Sequence, residues 1–290
     1  MAKTILISAA DQAYWPLLSG LLHSIDKRRR ATGMAVGILD LGLADEPLDR
    51  LRRYGAHVIR ADWDYDVSGF SVKPQPMFKA MTARPFLPRY FGGYDVHAWI
   101  DADCWVQDWQ AVKLLCAAAE HWGFSIVPEM DRSYTPLLHD GRTFADWARS
   151  CFVKCFGEEE GSELARYPLL NCGVFAARHD APLWGLWAKR TGEVLARLRE
   201  PFFFAEQTAL NACIRQHEAP VALLPARCNW MCSRAFPLVS TDGKSLLEPY
   251  PPHETIGIVH LAAETKRGVW PLVDARGRPQ PRALTFPMLP

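Results

Sequence analysis

Val96-His97-Ala98-Trp99-Ile100-Asp101-Ala102-Asp103-Cys104-Trp105 is the stretch on which the reading of this chain turns. An apolar run with strand character ends in two acidic residues one apart, and side chains at i and i+2 of a strand share a face. The pattern brings two carboxylates to one point. Ligands of α/β sheets bind at the carboxyl ends of the strands, and paired hard oxygen ligands there suit Mg²⁺ or Mn²⁺ carrying a phosphate. A strand running into an acidic turn with no ligand is the plainer reading, so the rest of the chain must decide between the two.

Upstream of this stretch, Ile5 to Ala10 is a short apolar run closed by Asp11, and a helical pattern opens near Tyr14. Ala35 to Leu41 reads as a second strand, Glu46 to Tyr54 as a helix and Ala56 to Arg60 as a third strand. Strands alternating with helices at these intervals belong to a parallel sheet, so the opening third reads as a doubly wound nucleotide-binding half. Met77 to Tyr90 is a helix that Pro85 and Pro88 should bend or split.

Downstream, Ala111 to Glu120 is helical and Gly123 to Val127 is a strand. The polar, irregular Pro128 to Gly141 is a candidate part of an acceptor site, because long loops inside compact domains tend to be functional. Phe144 to Phe156 carries Phe144, Trp147, Phe152 and Phe156 at helical spacing and reads as core packing. Leu169 to Ala177 is a strand with Asn171 and Gly173 in its interior, and glycine weakens a strand unless something approaches its backbone closely. Two helices follow, Pro182 to Leu198 and Phe202 to Ile214, the second carrying Glu206, Gln207 and Asn211. Val221 to Pro225 and Thr255 to His260 are further strands, and from Asp274 on the Pro- and Arg-rich sequence reads as a loosely packed tail.

Composition narrows the classes. With 33 basic and 32 acidic residues in 290, the net charge of +1 supplies no electrostatic drive toward nucleic acid or an acidic membrane. Lys27-Arg28-Arg29-Arg30 is the one dense basic run, and after the amphipathic Tyr14 to Ile25 it reads as a solvated helix end favoured by the helix dipole. Eight irregularly spaced cysteines read as reduced core residues, including the pairs Cys151/Cys155 and Cys228/Cys232. No apolar stretch nears the ~18 residues of a membrane span. A cytoplasmic protein without a transmembrane segment is expected.

Four distant features sit at strand ends or helix starts: Asp101/Asp103, Asn171 with Gly173, Glu206-Gln207 with Asn211, and His260 with Lys266. In a doubly wound sheet such ends lie along one edge and can line one cleft. A cation held by two carboxylates would accept His260 as a ligand, and Lys266 could neutralise a diphosphate. Lys79 and Arg84, on the helix before the acidic stretch, are candidates to reach phosphate or sugar, although solvated helix charges explain them too.

Together these residues resemble the family-eight retaining glycosyltransferases, the group of glycogenin and the bacterial lipopolysaccharide galactosyl- and glucosyltransferases. The resemblance is carried by Ala9, Ala10, Asp11 and Tyr14, by Trp99-Ile-Asp-Ala-Asp103, by Leu170-Asn-Cys-Gly-Val174, by Glu206-Gln-Thr-Ala-Leu-Asn211 and by His260-Leu-Ala-Ala-Glu-Thr-Lys266. It implies a single GT-A domain over residues 1–272, an α/β fold with a doubly wound, Rossmann-like mixed sheet and helices on both faces. Residues 1–127 would be the nucleotide-binding half, 128–272 the acceptor-side half and 273–290 the tail.

By the same resemblance Asp101, Asp103 and His260 would hold Mn²⁺ or Mg²⁺ against the diphosphate of a nucleotide sugar, with UDP the expected nucleotide. Asp11 and Tyr14 would meet the nucleobase and ribose, and Lys266 the phosphates. Asn171, Gly173, Glu206 and Gln207 would lie near the transferred hexose, which passes to a hydroxyl acceptor with retention of configuration. The acceptor class stays open: saccharide, lipid-linked saccharide, protein or small molecule. Three departures stand out. Glu206 replaces the usual Asp and reaches further, Ala263 replaces the Gly of His-x-x-Gly-x-x-Lys, and Ala13 stands where a polar nucleobase contact is common.

Other readings fit less well. Asp-x-Asp phosphatases of the haloacid dehalogenase type place Thr or Val one residue beyond the second Asp and keep the motif near the amino terminus; here the residue is Trp105 and the motif is late. A sugar-nucleotide pyrophosphorylase needs a glycine-rich loop, and Ala9 to Trp15 has no glycine. A non-catalytic sugar-binding module would have little reason to keep Asp101, Asp103, His260 and Lys266 together.

Overall fold

The structure, a computed structural model, describes residues 2–138, 140–216 and 219–289. Its first elements are β1 (Thr4–Ala10), α1 (Trp15–Thr32), β2 (Ala35–Asp40), α2 (Asp45–Tyr54) and β3 (His57–Arg60). Next come α3 (Phe78–Ala83), a 3₁₀ turn at Arg84–Phe86, α4 (Leu87–Tyr90), β4 (Val96–Ile100), β5 (Cys104–Val106), α5 (Trp109–Trp122) and β6 (Phe124–Pro128). The series continues with α6 (Phe144–Phe156), α7 (Glu158–Leu164), β7 (Leu170–Arg178), α8 (Leu183–Arg197) and α9 (Ala205–Gln216). Five short strands close the fold: β8 (Ala222–Leu223), β9 (Trp230–Met231), β10 (Leu238–Val239), β11 (Leu246–Leu247) and β12 (Ile258–His260).

The main sheet has seven strands in the order β3-β2-β1-β4-β7-β6-β8. β3, β2, β1 and β4 are parallel, and β7 runs antiparallel to both β4 and β6, so the sheet is mixed. One apolar layer packs α1, α2 and α5 on one face, and a second packs α3, α6, α8 and α9 on the other. The second layer contains the rings of Phe124, Phe175, Trp184 and Trp187, which stack or meet edge to face. Continuous burial of β1, β4 and β7 accounts for their unbroken apolar sequences.

Local chemistry sets the element ends. α1 starts with Pro16 in its first turn and stops at Gly33, whose φ of 68° is costly for any side chain with a Cβ. Pro85 and Pro88 remove two amide donors, and the expected helix over 77–90 is broken into α3, a 3₁₀ turn and α4.

Three expectations are corrected. Val96 to Trp105 is two strands: β4 ends at Ile100, the Cys104 amide donates to the Asp101 carbonyl at 2.9 Å to close a turn, and β5 joins a second sheet, β5-β12-β9. The two aspartates therefore sit in a turn and do not share a strand face. The segment from 273 on is not loose: Asp274 and Arg282 bridge to Val239 and Trp270, and residues 284–289 pack along α1, where Leu284 is buried, its carbonyl accepts from Trp105 Nε1 at 2.8 Å, and the Leu289 amide donates to Ser19 Oγ at 2.9 Å. Third, α6 buries Phe152 and Phe156 in the core as expected but turns Phe144 and Trp147 toward a cleft. Among the described residues, no helix is long and apolar enough to cross a membrane.

Candidate active site

The acidic turn is held from both sides. Main-chain pairing of β4 with β7 extends one step further, with the Asp101 amide on the Gly173 carbonyl at 2.8 Å. Asp101 Oδ1 accepts from Trp99 Nε1 at 2.7 Å and from Arg84 Nη2 at 2.5 Å. On the other side β5 pairs with β12 so that His260 lies opposite Cys104, and the Leu261 amide donates to the Asp103 carbonyl at 2.9 Å. This pairing sets His260 Nε2 3.5 Å from Asp103 Oδ1, while Lys266 Nζ contacts Asp103 Oδ2 at 2.9 Å. Burial works against the Lys266 ammonium, but the Asp103 carboxylate outweighs it and raises the amine above its ordinary value.

Next to the turn, β7 supplies a hydrogen-bond chain that fixes how each group points. The Gly173 amide donates to Asn171 Oδ1 at 2.8 Å, so that atom must be the amide oxygen. Asn229 Nδ2 therefore faces it at 2.9 Å, and Asn229 Oδ1 faces His260 Nδ1 at 2.9 Å. An acceptor oxygen there places a hydrogen on Nδ1 and leaves Nε2 as the ring atom that faces Asp103. Asn171 Nδ2 ends the chain on Glu129 Oε1 at 2.7 Å.

Gly173 has a space requirement. A Cβ built there would lie 2.6 Å from His260 Cε1, 2.8 Å from Asn171 Oδ1 and 2.9 Å from Asp101 Oδ2. The side chains of His260, Asn171 and Asp101 thus converge over a residue with no side chain. Cys104, Asp103 and His260 also approach within 4.8 Å of one another, but burial pushes the Cys104 thiol far above its ordinary pKa and it lines a small void beneath the turn. A thiol so held is a poor ligand. The carboxylates of Asp101 and Asp103 with the oriented imidazole of His260 fit a divalent cation.

A buried arginine links the turn to α9. Arg84 Nη2 meets Asp101 and Arg84 Nη1 meets Glu206 Oε2 at 3.1 Å, with the guanidinium 5.0 Å from the Trp99 ring centroid. Arg84 is thus an inward-facing bridge and not a solvated helix charge. Glu206 is 2% exposed, and burial pushes its carboxyl up to about 7 against the pull of Arg84. Gln207 Oε1 accepts the Cys172 amide at 3.0 Å, which leaves its Nε2 donors without a partner, like Glu206 Oε1. Asn211 bonds both the amide and the carbonyl of Leu170 and serves the fold.

At the β1 end, Asp11 Oδ1 accepts the Tyr14 amide at 3.0 Å, and the half-buried Tyr14 ring lies 5.8 Å from Lys266 Nζ. Burial raises the Tyr14 hydroxyl pKa. Ala263 has φ 53°, so the backbone takes the left-handed form associated with glycine despite its methyl group. Lys79 is not brought to the cleft: its Nζ donates to the Ala61 carbonyl at 3.1 Å and lies near Trp63, because α3 turns that side outward.

Two cavities of about 90 and 430 Å³ share Tyr14, Arg84, Asp101, Asp103, Phe203 and Lys266, and together form one cleft. The first extends over Asp11, Leu41 and Met77, and the second over Asn171, Glu206, Gln207 and His260. Residues not singled out from sequence also line the second: Glu129, Leu138, Phe204, Met231 and Arg234. Glu129 and Leu138 fall in the irregular 128–141 segment, Met231 and Arg234 in 228–237, an irregular loop between the last two expected strands, and Phe204 in the stretch read as a helix over 202–214. His139 in the first of these lies outside the described residues.

Compared with known proteins, no family model and no curated protein matches the chain. Solved structures do. The galactosyltransferase LgtC, in complex with donor and acceptor sugar analogs, is 15% identical over 90% of this chain and 88% of its own, with a TM-score of 0.56. The bifunctional glycosyltransferase WbbM, in its apo form, is 17% identical over 91% of this chain and 46% of its own, with a TM-score of 0.55. The likeness spans nearly the whole chain and shows that it has the GT-A fold of these glycosyltransferases.

Proposed function

We propose that the chain is a metal-dependent glycosyltransferase that moves a hexose from a nucleotide sugar, a UDP-sugar in the first instance, to a hydroxyl acceptor with retention of anomeric configuration. The observation that carries this reading is the convergence of Asp101, Asp103 and His260 beside Gly173 at the join of two cavities. The cation they would hold supplies charge neutralisation for a departing diphosphate. Lys266 adds a fixed positive charge on the same side, and Asp11 and Tyr14 border the space for the nucleoside.

Across the turn, Glu206 and Gln207 face the region where a sugar would sit. Gln207 offers donors to sugar hydroxyls, since its oxygen is committed to the Cys172 amide. Glu206, charge-paired to Arg84, offers in its ionised form the anion that steadies positive charge on the ring. In the wild-type protein, UDP-sugar with Mn²⁺ is expected to be hydrolysed slowly to UDP, and EDTA to stop this. Asp103→Ala should lower the rate by about a hundredfold or more, in the range of losing one electrostatic stabiliser. Unchanged turnover in Asp103→Ala would sink the metal assignment, and no thermal shift with any nucleotide sugar would sink the reading as a whole.

A further inference from the structure

Beyond the donor groups, the second cavity contains an ion pair that the reaction described above does not use. Arg234 and Glu129 are each 7% exposed, and their nearest charged atoms, Nη1 and Oε2, are 4.0 Å apart, outside hydrogen-bond reach. Arg234 is rigidly placed. Its guanidinium lies 3.5 Å from the Phe144 ring centroid, and Nη2 donates to the Thr135 carbonyl at 3.0 Å. That leaves Nε and Nη1 buried without partners. Glu129 has Oε1 committed to Asn171 and Oε2 free of any hydrogen bond, and burial raises its carboxyl pKa, so it gains from one more donor.

A group that donates to Glu129 and accepts from Arg234 satisfies both, and a sugar hydroxyl does both at once. Charge narrows the class further. Among the described residues, each cation at this end of the cleft already faces a carboxylate: Arg84 faces Asp101 and Glu206, Lys266 faces Asp103, and Arg234 faces Glu129. An acidic acceptor would set its anion against Glu129, and no unpaired cation among the described residues lining the cavity answers it. The aromatic edge formed by Phe144, Trp147 and Phe204 gives the apolar face of a pyranose a surface to lie on.

The geometry points to Arg234, held against Glu129, as the acceptor-specificity determinant of this site, reading hydroxyls of an uncharged hexose ring. The inference rests on the glycosyltransferase reading, and one experiment separates the two. UDP-sugar and Mn²⁺ are supplied with methyl hexosides of gluco and galacto configuration, with a methyl glucuronide or with glycerol 3-phosphate, and transfer and hydrolysis are measured together.

Transfer to at least one neutral hexoside should exceed transfer to either anion. Arg234→Gln and Glu129→Gln should each raise the half-saturating hexoside concentration about ten- to hundredfold, the worth of a hydrogen bond to a charged group, and lower the ratio of transfer to hydrolysis with it. Arg234→Lys keeps the charge without the fork and should stay within about threefold of Arg234→Gln. Thermal midpoints with and without UDP-sugar show that each variant is folded.

Unchanged half-saturation in the variants, preference for an anionic probe, or no transfer to any neutral hexoside while hydrolysis continues would each overturn the proposal. Absence of metal-dependent hydrolysis and of any nucleotide-sugar thermal shift in the wild-type protein would instead remove the parent reading, and this one with it.

Discussion

Glu206 is the residue whose environment most constrains its behaviour. In an unfolded chain its carboxyl would titrate near 4.3, whereas burial moves it to about 7 in the fold. Below the lower value both states are protonated and the group costs nothing. As pH rises through the window the unfolded chain ionises first, so this group's contribution to stability is lost between about pH 4.3 and 7, by about 3–4 kcal/mol, the pull of Arg84 included. Glu206→Gln removes that titration. In chelator, the melting temperature of Glu206→Gln minus that of the wild-type protein should grow by about 5 °C from pH 5 to pH 8. Parallel curves would mean that Glu206 stays ionised throughout on Arg84. Ala263 is the complementary case: its φ of 53° retains the backbone form of a glycine motif whose glycine is gone, a strain of about 1–2 kcal/mol for a residue with a Cβ.

Among the elements, β7 carries the site, and glycine tests it. Gly173→Ala drives a methyl into His260, Asn171 and Asp101, so it should cost about 1–3 kcal/mol of stability and weaken Mn²⁺ binding about tenfold or more. Gly185 on α8 has nothing within 4 Å of an added Cβ, so Gly185→Ala should stabilise by about 0.5–1 kcal/mol through helix propensity. Melting curves of the two variants check the opposite signs, and a Gly173→Ala protein as stable as wild type would show that β7 can shift. The same strand shows how far the sequence was legible. An apolar run interrupted by Asn171 and Gly173 marked a strand with a close approach, because period and glycine are local signals. What approaches was not local: Asn229 lies 58 residues from Asn171 and His260 lies 87 from Gly173, across a second sheet of two- and three-residue strands too short to show a period. For the same reason the acidic stretch read as one strand, since the turn that splits it is set by pairing with β12. Arg234 and Glu129 carried no motif at all, and only the irregularity of their segments pointed to them.

At the scale of the whole molecule, the carboxyl-terminal segment is part of the support of the acidic turn. Proline and arginine content suggested a loose tail, because composition does not report which backbone groups a segment satisfies. In the fold the Phe286 ring lies 5.1 Å from that of Trp105, and a Cβ on Gly20 would come within 2.9 Å of the Phe286 carbonyl, so α1 and the tail are in direct contact. Trp105 Nε1 and Ser19 Oγ both spend their hydrogen bonds on the tail, and Leu284 is 2% exposed. Phe286 also lines the small void under Ala102, Asp103 and Cys104, so the segment presses on the turn from beneath while Arg84 and Lys266 hold it from the cleft. Removing residues 283–290 would delete the buried Leu284 and the Phe286 ring that covers Trp105, and would orphan Trp105 Nε1 and Ser19 Oγ, each large apolar side chain being worth about 1.5–3 kcal/mol. The truncated protein should therefore melt several degrees lower, and its Mn²⁺ affinity by titration calorimetry should fall more than that of a Leu223→Ser variant on the far edge strand β8, whose side chain is already 49% exposed. Equal melting temperatures and equal metal affinities before and after truncation would show that the turn is set by β4, β5 and β12 alone.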